Sequence, residues 1–246
     1  MSSLTGRTAL VTGGSRGIGA AVALGLAAAG ADVAITYARS ADRAREVAAE
    51  IEALGRTAVT IEADAADPAS ASHAVDRTVG VLGRLDVLVN NAGTFVHGPP
   101  EEMTLEQVDH ILAVHTRAAF LLAQQAIRHM GAGGRIITIG SSLAERVPYP
   151  GMTLYAMSKA ALTGLTRGLA RDLGSRGITA AIVHPGSTDT EMNPADGPDA
   201  DAERAFTAVG RYGRAEEVAA MVVHLAGEGG AFVTGAAIAV DGGFAA

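Results

Sequence analysis

The sequence predicts a single-domain α/β fold: a seven-stranded parallel sheet covered by helices on both faces. Three observations predict it. Short β-branched runs alternate with longer Ala-rich stretches of helical character, the signature of strand–helix–strand crossovers. The runs are apolar along their whole length rather than at every second residue, as strands buried on both faces are. No Pro- or Ser-rich linker divides the 246 residues, a length that one α/β domain routinely fills.

The elements follow in order. The first strand is 8–12 (TALVT), and it runs through a glycine-rich turn into the helix AAVALGLAAAG. Strands follow at 32–37 (DVAITY), 57–61, 85–89, 135–139 (RIITI), 178–183 and 236–240, each rich in Val, Ile or Thr and each preceded by a helical stretch. Two long helices are expected from about Leu105 to Met130 and from about Leu154 to Leu173. The only extended irregular stretch is 186–211, rich in Asp, Pro and Gly. A loop of that length in a compact domain is usually functional, and it reads as a substrate-binding loop or lid.

Composition removes several classes of function. Charged residues make up 18% and hydrophobic ones 48%, which argues for a packed core and against disorder. Nineteen Lys and Arg against 26 Asp and Glu give a net charge of −7 with no basic block, so neither nucleic acid nor an anionic membrane is an expected partner. Zero cysteines exclude disulfides, thiolate metal sites and cysteine nucleophiles. The histidines, His73, His97 and His224 among them, lack ligand spacing, and no metal is expected. Without a leader-like N-terminus or a long apolar run, the expected location is the cytoplasm.

Directly after the first strand stands Thr12-Gly13-Gly14-Ser15-Arg16-Gly17-Ile18-Gly19. Glycines let the backbone turn tightly and approach a pyrophosphate, and the helix N-terminus behind them offers free amides and a partial positive charge. This strand–turn–helix context predicts a doubly wound, Rossmann-type fold that binds a dinucleotide. NAD preference is usually marked by an acid at the end of the second strand, but that end reads Thr36-Tyr37-Ala38-Arg39-Ser40, and the nearest acid, Asp42, lies in the next helix. Arg16 and Arg39 could instead flank a 2′-phosphate. NADP(H) is therefore the expected cofactor, in preference to NAD.

The fifth strand ends in Gly140-Ser141-Ser142, and thirteen residues after Ser142 comes Tyr155-Ala156-Met157-Ser158-Lys159 at the start of a helix. Positions i and i+4 share a helix face, so the Tyr155 hydroxyl and the Lys159 ammonium can enter one cleft. A free tyrosine titrates near 10, and working near pH 7 requires about 4 kcal/mol. One cation about 4 Å away supplies roughly that much at an effective dielectric of about 20. Ser142 could stabilise charge on the substrate oxygen.

With these motifs together, the chain resembles a classical short-chain dehydrogenase/reductase over essentially its whole length, most similar to the 3-oxoacyl-[acyl-carrier-protein] reductases. The resemblance rests on residues 12–19, Asp64-Ala65, Asn90-Asn91-Ala92-Gly93, Ser142, Tyr155 with Lys159, Pro185-Gly186 and Val240-Asp241-Gly242-Gly243. It implies catalytic roles for Ser142, Tyr155 and Lys159. It also implies a cofactor site formed by Gly13, Ser15, Arg16, Gly17, Ile18, Gly19, Arg39, Asp64, Ala65, Asn91, Ala92, Gly93, Tyr155, Lys159, Pro185, Gly186, Thr188 and Thr190. By that resemblance the reaction is hydride transfer between nicotinamide and a carbonyl or secondary alcohol, and the assembly is a homotetramer. An alternative is a dinucleotide-binding sensor or regulatory protein that has lost turnover.

One position departs from the family. Where relatives carry Asn in a V-N-x-x-x-x-F segment, this chain has Val114-His115. The family Asn kinks the helix and fixes a water in a proton relay; His115 is either a substitute relay member, since imidazole titrates near neutrality, or a packed histidine. Substrate determinants are expected in 94–98, 143–151 and 186–211, where Leu143, Val147, Met152, Leu154, Met192 and Phe206 suggest an apolar pocket, with Glu145 and Arg146 as polar contacts. A carrier-bound substrate would need basic docking residues. Arg176 suits one such place, but the other falls in Gly131-Ala132-Gly133-Gly134, which is bare. A small ketone, sugar or secondary alcohol is the other expectation.

Overall fold

A computed structural model describes residues 3–246. The seven expected strands are β1 (Thr8–Val11), β2 (Asp32–Tyr37), β3 (Ala58–Glu62), β4 (Val87–Asn90), β5 (Arg135–Ile139), β6 (Thr179–Pro185) and, last in the chain, β9 (Ala237–Val240). They form one parallel sheet in the order β3-β2-β1-β4-β5-β6-β9. The order reverses between β1 and β4, so a crevice opens there beyond the carboxyl ends of the strands, the place where α/β sheets of this kind take their ligands.

The uninterrupted apolar runs have a simple cause. Successive residues of a strand point to opposite faces, and here both faces are core. Ala9, Val11, Val33, Ile35, Val87 and Val89 pack on the side of α1 (Gly17–Ala28), α2 (Ala41–Ala53) and α8 (Ala215–Ala226). Leu10, Ala34, Leu88 and Ile136 pack on the opposite side, against α3 (Pro68–Leu82), α5 (Ala118–Ala126) and α6 (Thr153–Leu173).

Three expectations change. The fourth strand begins at Val87 rather than 85, because Asp86 serves as a buried acceptor at the foot of the sheet: Arg84 donates to it at 2.7 and 2.8 Å and the Thr8 amide at 2.9 Å. The helix expected over 105–130 is three pieces, α4 (Leu105–Leu112), a π-helical turn at Ala113–Arg117, and α5. The stretch 186–211 is not wholly irregular. It carries β7 (Thr188–Asp189), which pairs with β8 (Gly213–Arg214), and the short helix α7 (Ala200–Ala205). Among the described residues no helix is long and apolar enough to cross a membrane.

Candidate active site

At the carboxyl end of β1 the glycine turn is built so tightly that side chains are excluded. A Cβ on Gly14 would lie 2.7 Å from Ile35, and one on Gly19 would lie 2.2 Å from the Gly13 carbonyl. Thr36 receives the Gly13 and Gly14 amides at 3.0 and 2.9 Å, which ties the turn to β2. From the other side Asn91 donates to the carbonyls of Thr12 and Gly13 at 2.8 and 3.1 Å, while Thr12 Oγ1 accepts the amides of Asn91 and Ala92. Gly93, the last residue of this motif, packs on the His115 ring. Helix α1 then starts with no side-chain cap at Arg16 and no acid in its first turn, so its leading amides face outward without an internal acceptor. Ser15 is buried within the turn, whereas Ile18 is half-buried.

These donors fit a pyrophosphate. Arg16 and Arg39 are exposed beyond the ends of the adjacent strands β1 and β2, and their side chains make no ion pair or hydrogen bond among the described residues. Asp42, the nearest acid, is paired with Arg45. At the far rim Asp64 is exposed, with Oδ1 accepting the Ala66 amide at 2.8 Å, and Ala65 is half-buried beside it. Beyond β6, a Cβ on Gly186 would meet the Asp241 backbone at 2.7 Å, so the Pro185-Gly186 turn abuts the C-terminal Asp-Gly-Gly motif. Thr188 donates back to the Gly186 carbonyl at 2.9 Å. Thr190 reaches across to Gly17, its methyl 3.2 Å from where a Cβ would stand. The segments carrying the two ends of the expected cofactor site therefore meet.

The reacting groups lie at the carboxyl end of β5. Lys159 is buried on α6, donates to the Ile139 carbonyl at 3.2 Å, and stands 5.9 Å from the centre of the Tyr155 ring. The two side chains share one helix face, as their spacing predicts. Their electrostatics differ from the expectation. Burial is the dominant influence on both: it pushes the Tyr155 phenol up to about 12, with a hydrogen bond from Ser141 drawing it down, and pushes the Lys159 ammonium down to about 8. The protein by itself holds the phenol neutral and proton-loaded, because desolvation outweighs the hydrogen bond from Ser141.

Ser142 is buried at the start of a single 3₁₀ turn, and its hydroxyl has no hydrogen bond among the described residues. Ser141, not singled out from the sequence, touches the Tyr155 hydroxyl and accepts the Leu143 amide at 3.2 Å. His184 was likewise missed. Its Nδ1 accepts the Ser141 amide at 3.0 Å and its Nε2 faces Glu145 at 3.7 Å. The available signal was a lone polar residue in the otherwise apolar run AAIVHP.

His115 brackets the Thr94 loop and α6. Nε2 accepts the Thr94 amide at 3.0 Å; Nδ1 lies 2.9 Å from Ser158 Oγ, which itself donates to the Tyr155 carbonyl at 2.7 Å. Both ring nitrogens are thereby engaged in one tautomer, Nδ1–H. Burial and the Lys159 charge push His115 down to about 3, below the near-neutral titration expected of an imidazole. The ring sits edge-on to Tyr155 at 5.7 Å.

Beside Tyr155 lies an aromatic roof. Phe95 meets the Tyr155 ring edge-on at 5.1 Å, Tyr149 stacks on Phe206 at 5.6 Å, and Phe206 meets Phe244 at 6.1 Å. Helix α7 is clamped through Glu203, which accepts from Tyr149 at 3.0 Å and from Ser187. Leu143 and Met152 join this cluster as expected, whereas Val147 and Met192 are exposed. Arg146 donates to the Phe244 carbonyl at 2.5 Å, so it braces the roof instead of facing a substrate. Arg176 donates to the carbonyls of Ile127 and Met130, which engages the one basic residue placed for carrier docking. No group of metal ligands occurs among the described residues.

Comparison with known proteins agrees with this geometry. Residues 13–245 match the family described as enoyl-(acyl carrier protein) reductase. A short chain dehydrogenase from Burkholderia cenocepacia J2315, solved in complex with NADP, is 58% identical with a TM-score of 0.98, covering 99% of both chains. A blue fluorescent protein from a metagenomic library, solved with NADPH, is 54% identical at a TM-score of 0.98, covering 99% of this chain and 100% of that one. The cyclic-di-GMP-binding biofilm dispersal mediator protein of Escherichia coli (strain K12) is 46% identical over 246 residues, the full length of both.

Proposed function

The chain belongs to the classical short-chain dehydrogenase/reductases, and from that premise we propose that it is an NADP(H)-dependent oxidoreductase interconverting a carbonyl compound and a secondary alcohol. The observation that carries the reading is the pairing of Tyr155 and Lys159 in one enclosed space, on the same sheet edge as the uncapped N-terminus of α1. Gly13 to Gly19, Arg16 and Arg39 would hold the dinucleotide, which when bound supplies or accepts the hydride. Tyr155, kept neutral by its surroundings, gives its proton to the substrate oxygen during reduction and takes it back during oxidation. Ser142, whose hydroxyl is uncommitted, donates to the same oxygen, and Ser141 steadies the phenol. Lys159 holds positive charge beside the phenolate that remains. A carbonyl that gains a hydride at carbon and a proton at oxygen leaves as the alcohol.

The aromatic roof favours an apolar or aromatic carbonyl compound. A carrier-bound 3-oxoacyl chain finds less support, since Arg176 is engaged and Gly131–134 offers no cation. The exposed faces of α4, α5 and α6 favour a homo-oligomer.

Tyr155→Phe tests the reading. Turnover of NADPH with a responsive ketone should fall by about 10²- to 10⁴-fold, while NADPH binding, followed by its fluorescence, persists. Unchanged turnover overturns the role of Tyr155. A second reading, an NADP(H)-binding regulatory protein with little turnover, draws on the committed hydrogen bonds of His115 and on the likeness to the dispersal mediator. NADPH binding with no oxidation across a broad carbonyl panel would favour it.

A further inference from the structure

One buried imidazole has no part in the proton transfer. His184 stands near the end of β6, fully enclosed and directly before the Pro185-Gly186 turn. Its ring packs on the end of β5: a Cβ on Gly140 would lie 2.4 Å from Nδ1 and 2.6 Å from Cε1, so only glycine leaves room for it. Nδ1 accepts the Ser141 amide at 3.0 Å, and that amide has no second acceptor among the described residues. A ring nitrogen that accepts carries no proton, so the neutral ring holds its hydrogen on Nε2. That nitrogen faces the Thr163 hydroxyl of α6 at 3.5 Å and the Glu145 carboxylate at 3.7 Å. One side chain therefore links the strand end that leads into Ser142 with the helix that carries Tyr155 and Lys159.

We propose that His184 is a positioning residue, which accepts the Ser141 amide at Nδ1 and thereby fixes the direction of the Ser142 hydroxyl toward the substrate oxygen. The kinetic part of this rests on the oxidoreductase reading; the tautomer and the turn geometry do not. Ser141 is the residue that closes the turn, since its own hydroxyl accepts the Leu143 amide at 3.2 Å across Ser142. Anchoring the Ser141 backbone therefore anchors the serine that follows it. The Ser142 hydroxyl has no partner of its own to orient it, which leaves the backbone to do so. Burial lowers the pKa of His184 below the ordinary 6.5, with Lys159 acting in the same direction and Glu145 and Asp241 against it. The ring thus stays neutral and Nδ1 stays free to accept.

Paired substitutions and one direct measurement test it. His184→Leu keeps bulk and removes the acceptor, and kcat should fall by about 10- to 100-fold, the scale of a misplacement of about 1 Å, while NADPH binding and its KM hold. His184→Asn restores an acceptor, because its Oδ1 is bonded to Cγ as Nδ1 is, and should recover most of that loss. Equal kcat losses in the two variants overturn the positioning role, as does a His184→Leu enzyme whose only change is lower thermal stability. Should His184→Leu fail to fold, His184→Gln takes its place, since its amide reaches the Nε2 position and not that of Nδ1. In 15N-histidine NMR of the unmodified protein at pH 7, the signal missing from His184→Asn should be that of a neutral Nε2–H imidazole; an Nδ1–H tautomer overturns the bond to Ser141. If instead Tyr155→Phe retains full turnover, the oxidoreductase reading fails while the tautomer still decides whether His184 holds the serine turn.

Discussion

Lys159 illustrates at the level of one residue how function and stability oppose each other. Burial lowers its pKa from 10.5 to about 8. Below pH 8 the folded chain carries the full penalty of a buried ammonium. Between pH 8 and 10.5 the unfolded chain binds the proton and the folded one does not, so stability rises with pH across that window. Lys159→Met should therefore abolish turnover yet raise stability by about 3 kcal/mol at pH 7, the gain disappearing near pH 10.5. Urea melts at pH 7 and pH 10 check this, and a variant less stable than the parent at both values contradicts it. Tyr155, Lys159 and Ser142 were legible in the sequence because spacing alone puts them at one strand end and on one helix face. Ser141 and His184 were not, since their significance lies in which neighbours they meet across strands far apart in the chain. For His115 the sequence left two readings open, and its partners Thr94 and Ser158 emerge only from the fold.

At the scale of elements, the main strands could be read because the central ones are buried on both faces and carry mostly apolar residues, while edges shifted where one polar group had a separate task, as Asp86 does. The two-residue strands β7 and β8 are too short for any periodicity. The π turn at Ala113–Arg117 keeps an ordinary helical pattern in sequence and is set by the packing of His115 against the Thr94 loop and α6. Arg16, just before α1, and Arg39, just after β2, are the residues proposed to set the cofactor preference. Arg16→Ser combined with Arg39→Ser should weaken NADPH binding by about 10- to 100-fold, the loss of one charge-assisted hydrogen bond or more, and leave NADH nearly unaffected. Fluorescence titration with each nucleotide measures the effect; equal affinities in the parent protein would refute the assignment.

Across the whole molecule, large apolar side chains remain exposed on neighbouring helices: Leu105 on α4, Phe120 on α5 and Met157 on α6. Such side chains grouped at a surface mark association sites. Light scattering should find a dimer or tetramer, and Phe120→Glu should shift it to smaller species; a monomeric parent protein contradicts this. The sheet order has a different consequence, for biosynthesis. β1 lies between β2 and β4, and the Thr12–Asn91 link that steadies the glycine turn spans 79 residues. At about 5–20 residues per second of translation, a nascent first strand waits roughly 4–16 s for that neighbour. During that interval one hydrogen-bonding edge of the first strand stays open to other chains.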